Sequence, residues 1–292
     1  MRRSQRMCQK SSDAVLARAA IEMRVQSLTA VVLVASMTAS AVPVAAEPVA
    51  VRYAEGLVHG FLTLSTLDGT LIANGDLIQV ARGTRVTSRL VFKFKDGSVL
   101  DETAVFSQRG HFRLISDHLV QKGPTFEKSL EMSIDCASGR VIVKYADEDG
   151  KIKVEDERME LPADLSNGLV LTLLKNIRPE APPASLSMIA ATPKPRLVKL
   201  EITSGGQERF TTGTTTRAAT HYVIKVEIGG IAGAIAPLLG KQPADSHVWI
   251  LGGEAPAFVK FEGPMSLGAP PWRIELSSPA WTRASTRGQR PR

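Results

Sequence analysis

The chain has 292 residues, of which 43% are hydrophobic and 22% are charged, and its formal net charge is +7. This composition excludes a fibrous or a wholly disordered protein. The sequence contains no lysine-rich helix and no basic stripe interleaved with aromatic residues, so its positive charge does not indicate nucleic-acid binding.

An uncharged apolar stretch follows Arg24, contains the core Leu28–Val34 and ends in small residues at Ala46, before Glu47. This order of basic, apolar and small residues is typical of a secretory signal peptide. The pattern predicts a periplasmic or extracellular protein that is cleaved near Ala46-Glu47. The alternative is a retained membrane anchor, because 22 uncharged residues are enough to span a bilayer.

A leader of 46 residues exceeds the usual length of about 15–30 residues. We therefore interpret Met23 as the start, residues 23–46 as the signal peptide and residues 1–22 as a mis-assigned start. Only one cysteine, Cys136, then follows the leader, so no internal disulfide can form. No CxxC partner or cationic histidine lies beside it, which favours an inert structural thiol.

Between residues 53 and 161, apolar and polar residues alternate with period two, and Asp-Gly pairs such as Asp68-Gly69 and Asp96-Gly97 punctuate the runs. Alternation of this kind places one face of a strand in an apolar interior, and Asp-Gly is a strong hairpin signal. The runs leave no room for crossover helices. They predict an antiparallel meander of six or more strands, in which Ile152 and Val154 also belong to the apolar face.

The segment Asp164–Ile177 breaks this pattern, because its apolar residues recur every four positions. This spacing predicts a short helix with one apolar stripe, capped by Asp164 or Ser166 and ended by Pro179. Prolines then bracket Leu186–Ile189, which favours an edge strand, although a domain linker is the other interpretation.

Further strands are predicted towards the end of the chain, and the Gly/Ala-rich stretch 229–240 is either a second short helix or a buried loop. The predicted strands are Leu197–Thr203, Phe210–Thr214, Ala218–Ile228, Val248–Leu251, Phe258–Glu262 and Trp272–Leu276.

Motifs that carry chemistry are weak in this sequence. The acidic stretch from Asp147 to Asp156 lacks a carboxylate at the first position of a calcium loop, and residues 229–242 match neither phosphate-loop pattern. No histidine pair has metal-binding spacing. A polar group of His111, Arg113, Asp117 and His118 could include a Ser-His-Asp arrangement with Ser116, but no nucleophile elbow supports one. We interpret it as a polar rim or solvent-exposed face.

The whole pattern predicts a mainly β protein: an antiparallel meander curled into a half-barrel with one or two short plugging helices. A single domain is expected over residues 47–278, followed by a disordered basic tail over 279–292. The leader, the meander, the Asp164–Ile177 helix and the proline-bracketed Thr192–Arg196 together resemble periplasmic lipoprotein-carrier half-barrels of the LolA/LolB type. This resemblance implies a concave apolar face, plugged by helices, that takes lipid chains.

Our leading hypothesis is a non-enzymatic envelope protein that binds a lipid or another apolar ligand and needs no cofactor or metal. Its predicted lining residues, with Leu169 and Leu173 as a lid, are Leu62, Leu64, Leu90, Phe92, Phe94, Met132, Ile134, Val143, Leu169 and Leu173. The alternative is an assembly or interaction protein with a filled core, whose edge strand pairs with an envelope protein partner. The basic tail is a candidate for peripheral contact with anionic membrane head groups.

Overall fold

Strands dominate the computed structural model, which describes residues 47–181, 184–227, 243–266 and 268–277. The helix α1 spans Val170–Asn176. The strands of the described residues are β1 Val58–Thr66, β2 Leu71–Arg82, β3 Arg85–Phe94, β4 Val99–Arg109, β5 His111–Lys122, β6 Leu130–Asp135, β7 Arg140–Ala146, β8 Ile152–Arg158, β9 Ala184–Ala190, β10 Arg196–Thr212, β11 Thr215–Glu227, β12 Ser246–Leu251, β13 Ala257–Pro264 and β14 Pro271–Leu276.

All these strands belong to one antiparallel sheet in the order β8-β7-β6-β5-β4-β3-β2-β1-β14-β13-β12-β11-β10-β9. Strands β1 to β8 pair consecutively as a meander, and β9 to β14 do the same. The two halves are joined where β1 pairs with β14, with Leu62 opposite Leu276. Strands β8 and β9 are the two edges and do not pair with each other, so the sheet is open. The predicted mainly β half-barrel is confirmed.

The interior consists of the alternating apolar residues of this sheet. On β3, Val86 and Phe92 are fully buried while Lys93 is exposed. Leu64 of β1 and Val143 of β7 are fully buried as well. The α1 helix adds Leu173 and Leu174 to the same core, as a short plug. Because one face of each strand is apolar, curling the sheet around that face removes it from water.

The outermost strand of the first half departs from the prediction. Ile152 and Val154 of β8 were expected to face the interior, but their exposed fractions are 66% and 58%. The prediction was wrong because Val154 pairs with Lys144 of β7, and cross-strand partners share a face. Lys144 points to solvent, so the register turns Val154 outward.

The helix is shorter than predicted, because residues 164–169 form a loop. Ser166 donates from its backbone and its hydroxyl to the carbonyl of Ser187 on β9, both at 2.8 Å. The Asn167 side chain exchanges two 2.9 Å hydrogen bonds with the backbone of Ile189. These side chains compete with helical hydrogen bonding. The helix therefore begins after Leu169, and neither predicted capping residue caps it.

The second half contains a long hairpin where three shorter strands were predicted. Leu197–Thr203 and Phe210 lie on one 17-residue strand, β10, which pairs along its length with β11. A register shift between Ser204 and Gly206 marks a β-bulge that keeps the strand continuous. The three predicted closing strands correspond to β12, β13 and β14.

Four predicted features lie outside the described residues: the mis-assigned start over 1–22, the signal peptide over 23–46, the apolar stretch 229–240 and the tail over 279–292. Within the described ranges, no helix combines the length and apolar character that a membrane crossing requires.

Candidate functional site

A carboxylate interrupts the apolar face of β4. Leu100, Ala104 and Phe106 alternate along this strand and are buried in the core, and Glu102 occupies the interior position between Leu100 and Ala104. Alternation on a strand leaves no choice of face, so the Glu102 carboxyl group points into the protein. Most interior positions of the neighbouring strands are apolar, which makes this acid exceptional.

A second carboxylate reaches the interior through a β-bulge in β5. The pairing with β4 shifts between Val105 and Phe106, so Ile115 is left without a partner. The extra residue reverses the alternation, since Leu114 before it and Asp117 after it are both buried. Asp117 pairs with Ala104 and is 2% exposed. Glu102 and Asp117 are therefore diagonal neighbours on one face, and we call them the carboxyl pair.

The loop before α1 packs directly on the carboxyl pair. Gly168 has a φ of +65°, and a Cβ atom at this position would lie 2.6 Å from the Cβ of Ala104. The same point lies 3.1 Å from Oδ1 of Asp117 and 3.6 Å from Cδ of Glu102. Both acids therefore lie close to Gly168, and the absence of a side chain at this residue lets the loop approach β4 and β5 closely.

Burial changes the protonation of both groups. Removal from water raises the pKa of Glu102 from 4.5 to about 7. Burial and then the charge of Glu102 raise the pKa of Asp117 well above its usual value, and the backbone N–H of His118 opposes this only weakly. Two nearby carboxyl groups in low dielectric resist ionising together. At neutral pH the pair therefore holds protons that exposed carboxylates would release.

Asp117 also lacks hydrogen bonds. The N–H of His118 does not reach either oxygen in hydrogen-bond geometry, and neither oxygen has another partner among the described residues, although both are buried. No cationic side chain of the described residues lowers the pKa of either acid. An unpaired buried carboxyl group costs free energy, so this arrangement leaves room for a donor from outside the chain.

Two cavities of about 250 Å³ each border Glu102. The first, the central cavity, lies between β4, β5 and β6 on one side and β9 and β10 on the other. Its apolar walls include Leu100, Leu119, Met132, Met188, Ile189 and Val198. The second, the helix cavity, lies against α1 and is lined by Gln79, Ser88, Thr172 and Lys175 in addition to apolar side chains. Glu102 and Met188 line both cavities.

Two further cavities extend this row at its ends. The outer cavity, of about 430 Å³, shares Lys175 with the helix cavity and is lined by Arg52 and Tyr53. The rim cavity, of about 200 Å³, shares Gln121 with the central cavity. Each cavity thus shares at least one lining residue with the next. The described interior contains a row of four spaces with its most apolar section at the centre.

Another buried acid, Glu55, lies near the helix cavity and is fully paired. The carboxylate of Glu55 accepts from Nζ of Lys175 in a short ion pair and from Nε2 of Gln79 at 2.6 Å. The backbone of Glu55 exchanges hydrogen bonds with the Gln108 side chain at 2.6 and 3.0 Å. This network fixes the segment before β1 against β2, β4 and α1.

Of the ten predicted lining residues, Leu90 borders the helix cavity and Met132 borders the central cavity. The other eight lie in the packed core, where each is at most 7% exposed: Leu62, Leu64, Phe92, Phe94, Ile134, Val143, Leu169 and Leu173. Helix α1 faces the cavities through neighbouring residues such as Leu171 and Leu174, because Leu169 and Leu173 point into the core. Ligand contact by the predicted residues stays a prediction.

The predicted polar group on β5 is divided between the two faces of the sheet. His111, Arg113 and His118 are exposed, as predicted, and Nε2 of His118 lies 3.3 Å from Oε1 of Glu131. Asp117 was expected on the polar rim, and this was wrong, since the bulge turns it inward. No Ser-His-Asp arrangement forms here.

Glu102 was missed at the sequence level. The signal was present, because Leu100, Ala104 and Phe106 alternate around it, and a lone carboxylate in such a run indicates a buried acid. Among the described residues, no group of three or more metal-ligating side chains comes together. Cys136 is half-buried, and burial raises its thiol pKa to about 11, which makes it a poor nucleophile at neutral pH.

No protein-family model and no curated protein matches the sequence. Among solved structures, the chain is similar to a β-barrel-like protein from Brucella abortus, described as a domain of unknown function, DUF1849. The identity is 12%, the match covers 77% of this chain and 98% of that chain, and the TM-score is 0.42. A likeness at this level says nothing about a ligand or an activity.

Proposed function

We propose that this protein is a non-enzymatic envelope protein that holds the apolar chain of a lipid, or of a comparable amphiphile, inside its open sheet. The observation that carries the proposal is the row of four cavities, whose central member is lined mostly by apolar residues and lies between the two halves of the sheet. An elongated ligand fits a row of spaces better than a compact one. Burial of its apolar surface would supply about 25 cal/mol per Å² before ordering costs.

The sequence supports the same proposal independently. The leader-like stretch before Glu47 favours a periplasmic or extracellular location, where lipids and amphiphiles require carriers. The resemblance of the chain to lipoprotein-carrier half-barrels implies an acyl chain on the concave face. The polar residues of β5 offer no nucleophile with an adjacent base, which favours binding over catalysis.

The test is retention of ligand by the full chain. The protein is expressed in a Gram-negative bacterium and purified without detergent, and an organic extract is analysed by mass spectrometry. We expect an amphiphile in near-stoichiometric amount. Val198→Phe, which extends from β10 into the central cavity, should reduce the retained amount at least tenfold while the far-ultraviolet circular dichroism spectrum stays that of the wild type. Leu197→Phe is the matched control, because Leu197 is exposed on the same strand.

An empty wild-type protein that also fails to bind added alkyl probes would overturn the proposal. Equal retention by the two phenylalanine variants would place the ligand elsewhere in the protein.

The alternative, a partner strand added at β9, meets an obstacle in the structure. The backbone groups of Ser187 and Ile189 on the outer edge of β9 are already bonded to residues 164–167. A partner strand would have to displace that segment first. If the wild-type protein carried no ligand and Ser185→Pro, which leaves the lining of the central cavity unchanged, abolished capture of an envelope protein, the alternative would replace the carrier proposal.

A further inference from the structure

We propose that the carboxyl pair of Glu102 and Asp117 binds the protonated amino group of an amphipathic ligand, whose alkyl chain lies in the central cavity. This inference rests on the proposed function and adds the chemical class of the ligand. It follows from a missing donor, a missing cation and the position of Glu102, the diagonal neighbour of Asp117, beside an apolar space.

The missing donor is at Asp117. Its side chain is 2% exposed, and both carboxyl oxygens are buried without a hydrogen-bond partner among the described residues. Buried polar atoms in native proteins are almost always satisfied, so such an atom calls for an explanation. A ligand group with several N–H donors would supply the absent bonds.

The missing cation is evident from a comparison with Glu55, another buried acid of this interior. Glu55 has Lys175 and Gln79 as partners. The carboxyl pair has no counterpart to this lysine among the described residues, although it contains two acids. Lys175 lines the helix cavity together with Glu102, but its ammonium group is bonded to Glu55.

The chemistry of the pair selects an ammonium group. An anion is repelled by the negative charge that the pair carries once one of its acids ionises, and a hydroxyl group offers one donor and no charge. A divalent metal ion requires about six oxygen ligands, whereas the pair supplies two acids. An ammonium group has three donors on a compact charge, so it can bond to both acids at once.

The neighbouring space selects an alkyl substituent. Glu102 lines the central cavity, whose walls beyond the carboxyl group are Leu100, Leu119 and Met132 on one side and Met188 and Val198 on the other. A ligand held by its amino group at Glu102 would bury its chain among these side chains. The pair would then fix the orientation of the ligand, and the apolar walls would supply most of its affinity.

Three probes of equal chain length test the inference by isothermal titration calorimetry at pH 7.5: n-octylamine, n-octanol and octanoate. The full-length protein should bind octylamine at least tenfold more tightly than octanol, and octanoate most weakly. Glu102→Gln should weaken octylamine binding at least tenfold and change octanol binding less than twofold. Asp117→Asn should do the same, which keeps the test valid if one variant does not fold.

Glu148→Gln is the matched control, because it removes one exposed carboxylate from the turn before β8. It should change none of the three affinities. Equal binding of octylamine and octanol by the wild type, or unchanged octylamine binding in both pair variants, would overturn the inference while leaving the proposed function standing. Absence of binding by all three probes would instead overturn the proposed function.

Discussion

Two groups of buried acids in one interior have opposite surroundings. Glu55 has a cation, a side-chain amide donor and two further hydrogen bonds through its backbone. The carboxyl pair of Glu102 and Asp117 has neither a cation nor, at Asp117, a hydrogen-bond partner among the described residues. Both groups lie near the helix cavity, so the difference does not come from burial alone.

The comparison separates structural from functional acids. A buried charge with all its partners stabilises the position of the elements that supply them, as Glu55 does for the segment before β1 and for α1. A buried acid without partners destabilises the empty protein, and such groups are concentrated at functional sites. The carboxyl pair is therefore the better candidate for ligand recognition.

Among these predictions, the largest loss of stability is expected when Glu55 loses its cationic partner Lys175. Lys175→Met would leave Glu55 buried and uncompensated, and breaking a buried ion pair costs about 3–5 kcal/mol. Urea unfolding followed by circular dichroism measures the loss. The double variant Glu55→Gln/Lys175→Met should recover most of it. A loss below about 1 kcal/mol in the single variant would show that Glu55 does not depend on Lys175.

The contact between the loop and the carboxyl pair can be tested at Gly168. Gly168→Ala adds a Cβ atom 2.6 Å from Ala104 in a backbone with φ of +65°, and we expect a loss of about 3 kcal/mol. Gly83→Ala is the matched control, because its φ is +61° and nothing lies within 4 Å of the added atom. This control should lose about 1 kcal/mol of stability, because only its left-handed backbone conformation disfavours alanine. Equal losses would contradict the close approach at the pair.

The carboxyl pair predicts a pH dependence of stability. Because burial raises the pKa of Glu102 from 4.5 to about 7, the folded protein binds protons more strongly than the unfolded chain. The stabilising contribution is complete below about pH 4.5 and is lost as the pH rises through 7. We expect the free energy of unfolding to fall by an amount on the order of 2 kcal/mol between pH 5 and pH 8.

The double variant Glu102→Gln/Asp117→Asn isolates this effect. Lys175, paired with Glu55, is the other charged side chain that lines the helix cavity, and it remains in both proteins. His221, whose pKa is lowered by burial, is likewise present in both. The difference between the wild-type and variant urea-unfolding curves across the pH series therefore reports the pair. Parallel curves would show that the pair does not titrate in this window.

The smallest loss of stability is expected for an ion pair that is exposed to solvent rather than buried like Glu55 and Lys175. Arg140 donates from Nε and Nη2 to Asp156 at 2.9 and 2.6 Å, but the two side chains are 50% and 45% exposed. Arg140→Met should cost less than about 1 kcal/mol in urea unfolding, and salt should reduce that cost further. A loss comparable to that of Lys175→Met would remove the distinction between buried and exposed partners.

Much of the fold could be predicted from the sequence, because alternation at residues such as Leu90, Phe92 and Phe94 depends only on which face is buried. The pairing of β1 with β14 could not, since it joins residues far apart in the chain. The start of α1 was mispredicted for a related reason: Asn167 bonds to β9, a partner that no local pattern reveals. Prediction from local sequence patterns failed where a residue forms a hydrogen bond with a strand that is distant in the chain.

The candidate site was only partly accessible to the same reasoning. Asp117 stood out as a polar residue, but its face depends on the bulge at Ile115, which appears only when β4 and β5 are paired. Glu102 lay in a regular alternation and could have been found. Neither the cavities nor the loop over Gly168 could be predicted, because they depend on how the two halves of the sheet meet.

The ladder between β1 and β14 has a consequence for the order of folding. It pairs Leu62 with Leu276, whereas every other neighbouring pair of strands is consecutive in the chain. Contacts between distant residues form late, after local hairpins. We expect two separate meanders to form first, each with one strand of this ladder still unpaired. Until they join, these two unpaired edges are where the nascent protein is most exposed to pairing with another chain.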